Sequence, residues 1–380
     1  MTLSVVKRKG PPAETPPADA PTTPGAPPAD ASPSPGAAAG YRSRARRKVL
    51  AIAALTVVAF AAFVVATVVG PLPLSVGDVL GGIADPSSVD DRTRTVLWNL
   101  RLPMSVMAVL IGAALSLAGA QMQTILDNPL AEPFTLGISA AAAFGGAASI
   151  VLGWSVIANP QFNLAAVAWA SAMIAVAVVM VAALWRGAGS ESMILLGISL
   201  VFLFQALLAL MQYRATTEAL QQIVFWTMGS LGRATWTANG LIAGALLIAV
   251  PFTMLSAWKL TALRLGESRA AAMGVDVPKL RAATLVVASL LAATAVAFAG
   301  IIGFIGLVGP HVARILVGED HRFFVPASMA AGAALLAAAH AVSITIVPGI
   351  AIPIGIITAL VGVPFFVVLV LARRRVLGGR

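Results

Sequence analysis

The chain reads as an all-α, polytopic membrane protein with about ten transmembrane helices, and three observations predict it. Of its 380 residues, 59% are hydrophobic and 11% charged, with a mean hydropathy of +0.93. Two or three soluble domains of this length cannot be dissolved with so few charges. Apolar runs of at least about 18 residues recur along the chain, each long enough to cross a bilayer as a helix. Lys and Arg gather in alternate connecting segments, which is the pattern of a topology signal.

The elements follow in order. Residues 1–40 hold ten of the 24 prolines among Ala, Ser and Thr, and lack an apolar run able to offset the cost of ordering a backbone, so disorder is expected there. Arg42, Arg44, Arg46, Arg47 and Lys48 complete a basic tail over 1–48. It leads directly into the apolar run Val49–Leu72, too long for the roughly 7–15-residue core of a signal peptide, which predicts an uncleaved first helix. Further spans are predicted at 103–125, 133–153, 163–185, 192–212, 237–258, 281–299, 301–318, 323–345 and 353–372, so the transmembrane domain covers 49–372 and a second basic tail covers 373–380. Only the series Gly300, Gly303, Gly306, Gly309 and Pro310 separates the seventh span from the eighth, which leaves nine and eleven as alternative counts.

Charge supplies a parity check. With the N-terminus inside and ten crossings, twenty of the 25 Lys and Arg fall in the cytoplasm, and Arg92, Arg94, Arg101, Arg214 and Arg233 fall outside. An odd count breaks this asymmetry. Both termini are therefore expected in the cytoplasm, with the chain in the plasma membrane. Trp98, Trp154, Trp185, Trp236 and Trp258 fall at predicted span ends, where indoles anchor helices at the lipid interface. Clusters such as Gly112-Ala113-Ala114, Ala118-Gly119-Ala120 and Gly145-Gly146-Ala147-Ala148 let backbones approach closely and predict a compact bundle.

Two connecting stretches are too long to be turns. Pro71–Leu100, outside, is expected to carry a short surface helix. Inside, the segment 260–281 reads as helix, Gly, helix: Glu267–Met273 is helical, Gly274 ends it, and Pro278 sits in the first turn of the next helix.

Much chemistry is excluded. There is no cysteine, hence no disulfide, thiolate metal site or cysteine nucleophile, and three histidines, His311, His321 and His340, are few for a metal site. No metal ligand set is predicted. Neither Gly-x-x-x-x-Gly-Lys-Ser/Thr nor His-Glu-x-x-His occurs, so the chain does not cradle ATP phosphates itself and is not read as an enzyme. The net charge of +10 sits at helix ends and in the tail, as topology requires, and not as a nucleic-acid footprint. Within the spans the ionisable residues are chiefly Arg314, near an end, and His340. Ion-coupled carriers use buried carboxylates or unwound polar segments, so an externally powered pore is favoured over a self-contained secondary transporter. For His340 a neutral, hydrogen-bonded core histidine is expected, with a proton relay or substrate ligand as the alternative.

Three blocks carry a resemblance. The first is Asn99-Leu100-Arg101-Leu102-Pro103, Gly112-Ala113-Ala114-Leu115, Ala118-Gly119, Gln123, and Asn128-Pro129-Leu130-Ala131-Glu132-Pro133 with Leu136-Gly137. The second runs from Leu265-Gly266-Glu267 through Ala270 and Gly274-Val275 to Leu280-Arg281. The third is Ala299-Gly300-Ile301-Ile302-Gly303-Phe304-Ile305-Gly306-Leu307-Val308-Gly309-Pro310-His311-Val312-Ala313-Arg314, followed by Asp320-His321-Arg322, Pro353-Ile354-Gly355 and Gly362-Val363-Pro364-Phe365-Phe366. In this order and spacing they resemble the FecCD-type permeases, the membrane subunits of type II ABC importers for ferric siderophores, haem and vitamin B12.

The resemblance implies a vitamin B12 importer permease-like bundle of ten helices. It implies a second permease subunit, two cytoplasmic ATPase subunits that hold ATP and magnesium, and an extracytoplasmic binding protein, with no cofactor on this chain. Asn128, Pro129, Gly306, Pro310 and His311 belong to its motifs. Leu265, Gly266, Glu267, Ala270, Ala271 and Gly274 match its coupling helices, with Glu267 pairing to a basic ATPase residue and Ala270 and Ala271 keeping that contact close. Gly189, Ser190 and Glu191 match its cytoplasmic gate. Arg101 matches an outward arginine that docks the binding protein, although it also suits a snorkelling role at the span end. The chain departs from the pattern at Met104, His340, Ile344 and Ala351, where relatives carry charges. Either the chain is half of a heterodimer, the favoured reading, or Arg92 and Arg94 have taken over docking. Ferric siderophores are the commonest cargo in the family; haem and cobalamin stay open.

Overall fold

The computed structural model describes residues 35–72, 74–186, 190–347 and 349–377. Every element named among them is helical. In chain order these are α1 Pro35–Val68, α2 Val76–Ala84, α3 Asp91–Val96, a π turn Leu97–Arg101, α4 Leu102–Ile125, a 3-10 turn Pro133–Leu136, α5 Ile138–Leu152, α6 Pro160–Arg186 and α7 Ser190–Arg214. They continue with α8 Thr217–Thr227, α9 Trp236–Leu255, α10 Ala257–Leu263, α11 Glu267–Ala272, α12 Val277–Ala299, α13 Ile305–Val317, α14 His321–Ser343 and α15 Ile354–Leu377.

Seven stretches are long and apolar enough to cross a membrane, and the shorter apolar helices α5, α13 and α15 stand at the remaining predicted spans. The ten predicted positions are thus all helical, with four departures from expectation. The first helix begins at Pro35, so residues 35–40, within the segment expected to be disordered, are helical, as is the rest of the basic tail. Ala and Arg are good helix formers, and extending an existing apolar helix carries no nucleation cost. The eighth span is helical only over Ile305–Val317, 13 residues, or about 20 Å, because Gly300 takes a positive φ and Phe304 sits left-handed at the N-cap. Between α7 and α9 lies α8, which the apolar runs alone did not reveal. The surface helix expected within Pro71–Leu100 is two helices, α2 and α3, with Ser75 and Asp78 forming a capping box and Asp90 capping α3.

Contacts divide the chain at Ala45 and Arg46. In the first unit, Ser43 Oγ and Arg44 Nε donate to the Gly40 carbonyl within α1. In the second unit α4 is the centre. It is apolar all round and packs against α9, α12, α13 and α14, as a helix without a polar face must; 78% of its most apolar stretch is buried, against 11% for α1. Close approach explains the choice of small residues. A Cβ at Gly112 would lie 2.3 Å from the Gly332 carbonyl oxygen on α14, and one at Gly119 would lie 1.9 Å from that of Gly306 on α13. Lipid supplies no hydrophobic drive between helices, so backbone proximity of this kind is what binds them.

Candidate functional site

At one end of the bundle, α11 projects between two glycines. Gly266 and Gly274 have φ of +104° and +83° with open space around them, so it is the backbone angle and not crowding that selects glycine. Leu265, Glu267, Ala271 and Met273 are exposed, whereas Ala270 is fully buried in the cluster holding Leu260, Leu263, Val275 and Leu280. Ala270 therefore anchors α11 and is not free to keep a contact close as expected of it; Leu265, Ala271 and Met273 are among the side chains that this segment exposes.

Two arginines flank α11, and both grip the end of α4. Arg281 Nε donates to the Ile125 carbonyl, the last residue of α4, at 2.9 Å, and Arg281 also pairs with Glu267. Glu267, expected to meet a basic partner residue, thus already has one within the chain. Arg264 Nη1 donates to Asp127 Oδ1 at 2.8 Å and Nη2 to Glu319 Oε1 at 2.6 Å. Asp127 has a φ of +43°, a left-handed turn that Asp tolerates better than most side chains. Glu319 also meets Arg314 Nε at 3.1 Å, and Arg314 Nη2 donates to Gln123 Oε1 at 2.8 Å. Burial pushes the Glu319 carboxyl up, but the Arg264 hydrogen bond and the charges of Arg264 and Arg314 outweigh it and hold it below the ordinary value. Guanidinium groups at a helix C-terminus also meet the negative end of its dipole. These contacts tie the end of α10 and the start of α12, on either side of α11, to the end of α4 and the turn that follows it.

The other motif residues are structural here. Asn128 Oδ1 accepts from the Leu130 amide at 2.9 Å, turning the chain at Pro129. Gly306 packs on α4, while Pro310 and His311 are buried in α13, with the His311 ring edge-on to Phe365 at 6.2 Å. His321 is fully buried between Thr124 (3.0 Å) and Thr261 (3.3 Å), and His340 is buried in α14. Of the gate residues, Gly189 lies outside the described residues, Ser190 opens α7, and Glu191 is exposed. No metal-ligating group is found among the described residues.

The opposite end corrects the docking assignment. Arg101 is 5% exposed, and its guanidinium donates to the carbonyls of Val69 and Leu72 beyond α1. An arginine so placed satisfies backbone acceptors at the end of the first span and presents no outward charge. Arg92 and Arg94 are exposed, Arg94 pairing with Asp91 at 2.6 Å. Trp98 Nε1 donates to the Gly82 carbonyl and Trp236 Nε1 to the Trp98 carbonyl, both at 2.9 Å, which fastens α2 and α9 to the start of α4.

The FecCD transport family model matches residues 55–372. The chain belongs to the FecCD transport family. It is accordingly a multi-pass permease subunit of an ABC importer. It is 33% identical over 291 residues to the hemin transport system permease HmuU of Yersinia pestis, covering 76% of this chain and 86% of that protein. It is 36% identical over 301 residues to the vitamin B12 import permease BtuC of Vibrio vulnificus, covering 79% and 89%. Among solved structures, a chain of a metal-chelate type ABC transporter in an inward-facing conformation matches with a TM-score of 0.75 and 32% identity, over 84% of this chain and 98% of that one. The ion-pair cluster of Arg264, Asp127 and Glu319 beside α11 was not read from the sequence. Their one signal was position, each a charge at a span end beside a recognised motif.

Proposed function

We propose that this permease subunit accepts a ferric siderophore from an extracytoplasmic binding protein and passes it to the cytoplasm when ATPase subunits move α11. The carrying observation is the double grip of Arg264 and Arg281 on the end of α4, which makes α11 a lever on the central helix and not a loose loop. In this reading α11 faces the cytoplasm, Leu265, Ala271 and Met273 enter the ATPase cleft, and Arg92 and Arg94 face the binding protein. A second, non-identical permease supplies the charges absent at Met104, His340, Ile344 and Ala351. The metal-chelate likeness supports an iron chelate as cargo; haem and cobalamin are the cargoes of the named relatives.

Because the chain has no cysteine, single substitutions test the arrangement. Ala271→Cys is expected to label with a membrane-impermeant maleimide only from the cytoplasmic side and to crosslink to a copurifying ATPase, and Arg92→Cys to label only from outside. Reversed labelling refutes the orientation. Uptake of radioactive iron siderophore, haemin and cobalamin in a deletion strain identifies the cargo, and siderophore uptake unchanged by the deletion refutes that part.

A further inference from the structure

The first span opens on a block of cations without counter-charges. Between Asp30 and Asp78 the chain has no acidic residue, and its five cations there, Arg42, Arg44, Arg46, Arg47 and Lys48, fall within seven positions. In the first unit Arg42 and Arg44 are exposed; in the second, Arg46 and Arg47 are. Among the described residues, none of these four arginines has a carboxylate within salt-bridge distance. The family match begins at residue 55, so the basic stretch lies outside the matched region.

Contacts within the second unit set the level at which this block ends. Lys48 Nζ stands 5.1 Å from the centroid of the Phe323 ring, and Ala51, Ile52, Leu55 and Phe323 pack against Ala313, Val317 and Phe324 of α13 and α14. The start of α14 is tied in turn to α10, the His321 amide donating to Thr261 Oγ1 at 3.1 Å. There α10 exposes Trp258 beside Lys259, and an indole next to a cation belongs at the lipid headgroups. Arg46, Arg47 and Lys48 therefore stand at headgroup level, at the end of the bundle that carries α11.

The span below them is the barest of the seven, with 11% of its most apolar stretch buried, and Val49, Leu50, Val57, Val58 and Phe60 are exposed. A helix so little covered by its own chain emerges among lipids. Each lysine or arginine held near an anionic membrane surface strengthens attachment on the order of fivefold.

We propose that the basic start of α1 is a binding surface for anionic phospholipid headgroups, which gather around Arg42, Arg44, Arg46 and Arg47 in preference to zwitterionic ones. Guanidinium pairs with phosphate bidentately. Zwitterionic lipids offer phosphate too, but their own ammonium cancels its charge, so the preference comes from the net charge of the lipid. This surface requires only that the chain span a membrane; it is independent of the cargo and of what meets α11.

The test uses the full chain with its copurifying subunits in nanodiscs of phosphatidylcholine and phosphatidylglycerol, mixed at roughly two to one. Because the chain has no cysteine, Val49→Cys, at an exposed position, carries one fluorophore, and the complex of the cysteine-free chain supplies the background. A trace of either lipid bears a nitroxide close to its headgroup. Spin-labelled phosphatidylglycerol is expected to quench about threefold more efficiently than spin-labelled phosphatidylcholine, a comparison made with all four arginines in place. Raising salt from about 0.1 M to about 1 M shortens the screening length from about 10 Å to about 3 Å and should bring the ratio close to one. Arg42→Gln, Arg44→Gln, Arg46→Gln and Arg47→Gln combined should do the same at low salt, whereas lysine at the same four positions should keep the preference. Copurification of the other subunits shows that each variant has assembled; where the glutamine variant does not assemble, the lipid comparison and its salt dependence decide. Equal quenching by the two lipids with the arginines in place overturns the proposal, as does a preference that survives high salt or the glutamine substitutions. Weak quenching by both lipids means that a copurifying subunit covers the segment, and overturns it as well.

Discussion

Gly119 gives the most demanding test of the packing. It faces the start of α13, and a Cβ there would lie 1.9 Å from the Gly306 carbonyl oxygen, 2.6 Å from its carbon and 2.7 Å from its Cα. Real Cβ contacts stay above 3.0 Å, so Gly119→Ala must part the two backbones by roughly 1 Å. Backbone atoms have no rotamer in which to escape, and the Gln123 hydrogen bond to the same carbonyl, 3.4 Å long, has no slack. Overpacking costs about 1–3 kcal/mol, and a backbone obstacle places this case in the upper half. Gly244 on α9 is the internal control, since a Cβ there meets nothing within 4 Å; alanine at that position gains up to about 1 kcal/mol of helix propensity. Thermal unfolding in one nanodisc preparation, followed by tryptophan fluorescence, is expected to show Gly119→Ala several degrees below wild type and Gly244→Ala at or above it. A Gly119→Ala midpoint equal to wild type, or an equal fall in both variants, refutes the close-contact argument.

Three further predictions follow from the ends of the bundle. Arg101→Gln, which frees the Val69 and Leu72 carbonyls, should lower stability by about 1–3 kcal/mol while leaving capture of the binding protein unchanged; Arg92→Glu with Arg94→Glu should reduce capture in a pull-down. Arg281→Gln should cut uptake at least fivefold with ATPase copurification intact, whereas Glu267→Gln, whose side chain is 58% exposed, should cut it less than twofold. Glu319 titrates below its ordinary 4.5, and a depressed carboxylate stabilises the fold above its unfolded pKa and loses that contribution as pH falls through the folded one. The gap in unfolding midpoint between wild type and Glu319→Gln should therefore be constant from pH 8 to 6 and begin to close only below about pH 4.5.

Hydropathy made the helix positions legible because it is a property of single segments. It failed where a neighbour decides. The Gly300 to Phe304 break goes with the positive φ of both residues and with the close approach of Gly300 to the Trp226 carbonyl, and no run of apolar residues encodes it. Arg101 matched an outward position in the motif, yet the carbonyls it meets lie 32 and 29 residues earlier. α11 and its glycines were readable from local signals, but the pairing of Arg264 with Asp127 spans 137 residues and joins charges that look like ordinary interface residues. Ala270 illustrates the same limit: spacing places it on α11, and only packing shows which way it faces.

The buried helix α4 carries Arg101 just before its first turn and receives Arg281 at its last carbonyl, some 36 Å away for 24 residues. One stiff rod thus runs between the two surfaces of the protein, with a different tether at each extremity. Second-site revertants that restore an Arg281 variant should accordingly cluster along this rod and its Gly112 and Gly119 seats, and not on the exposed flanks of α1 or α7.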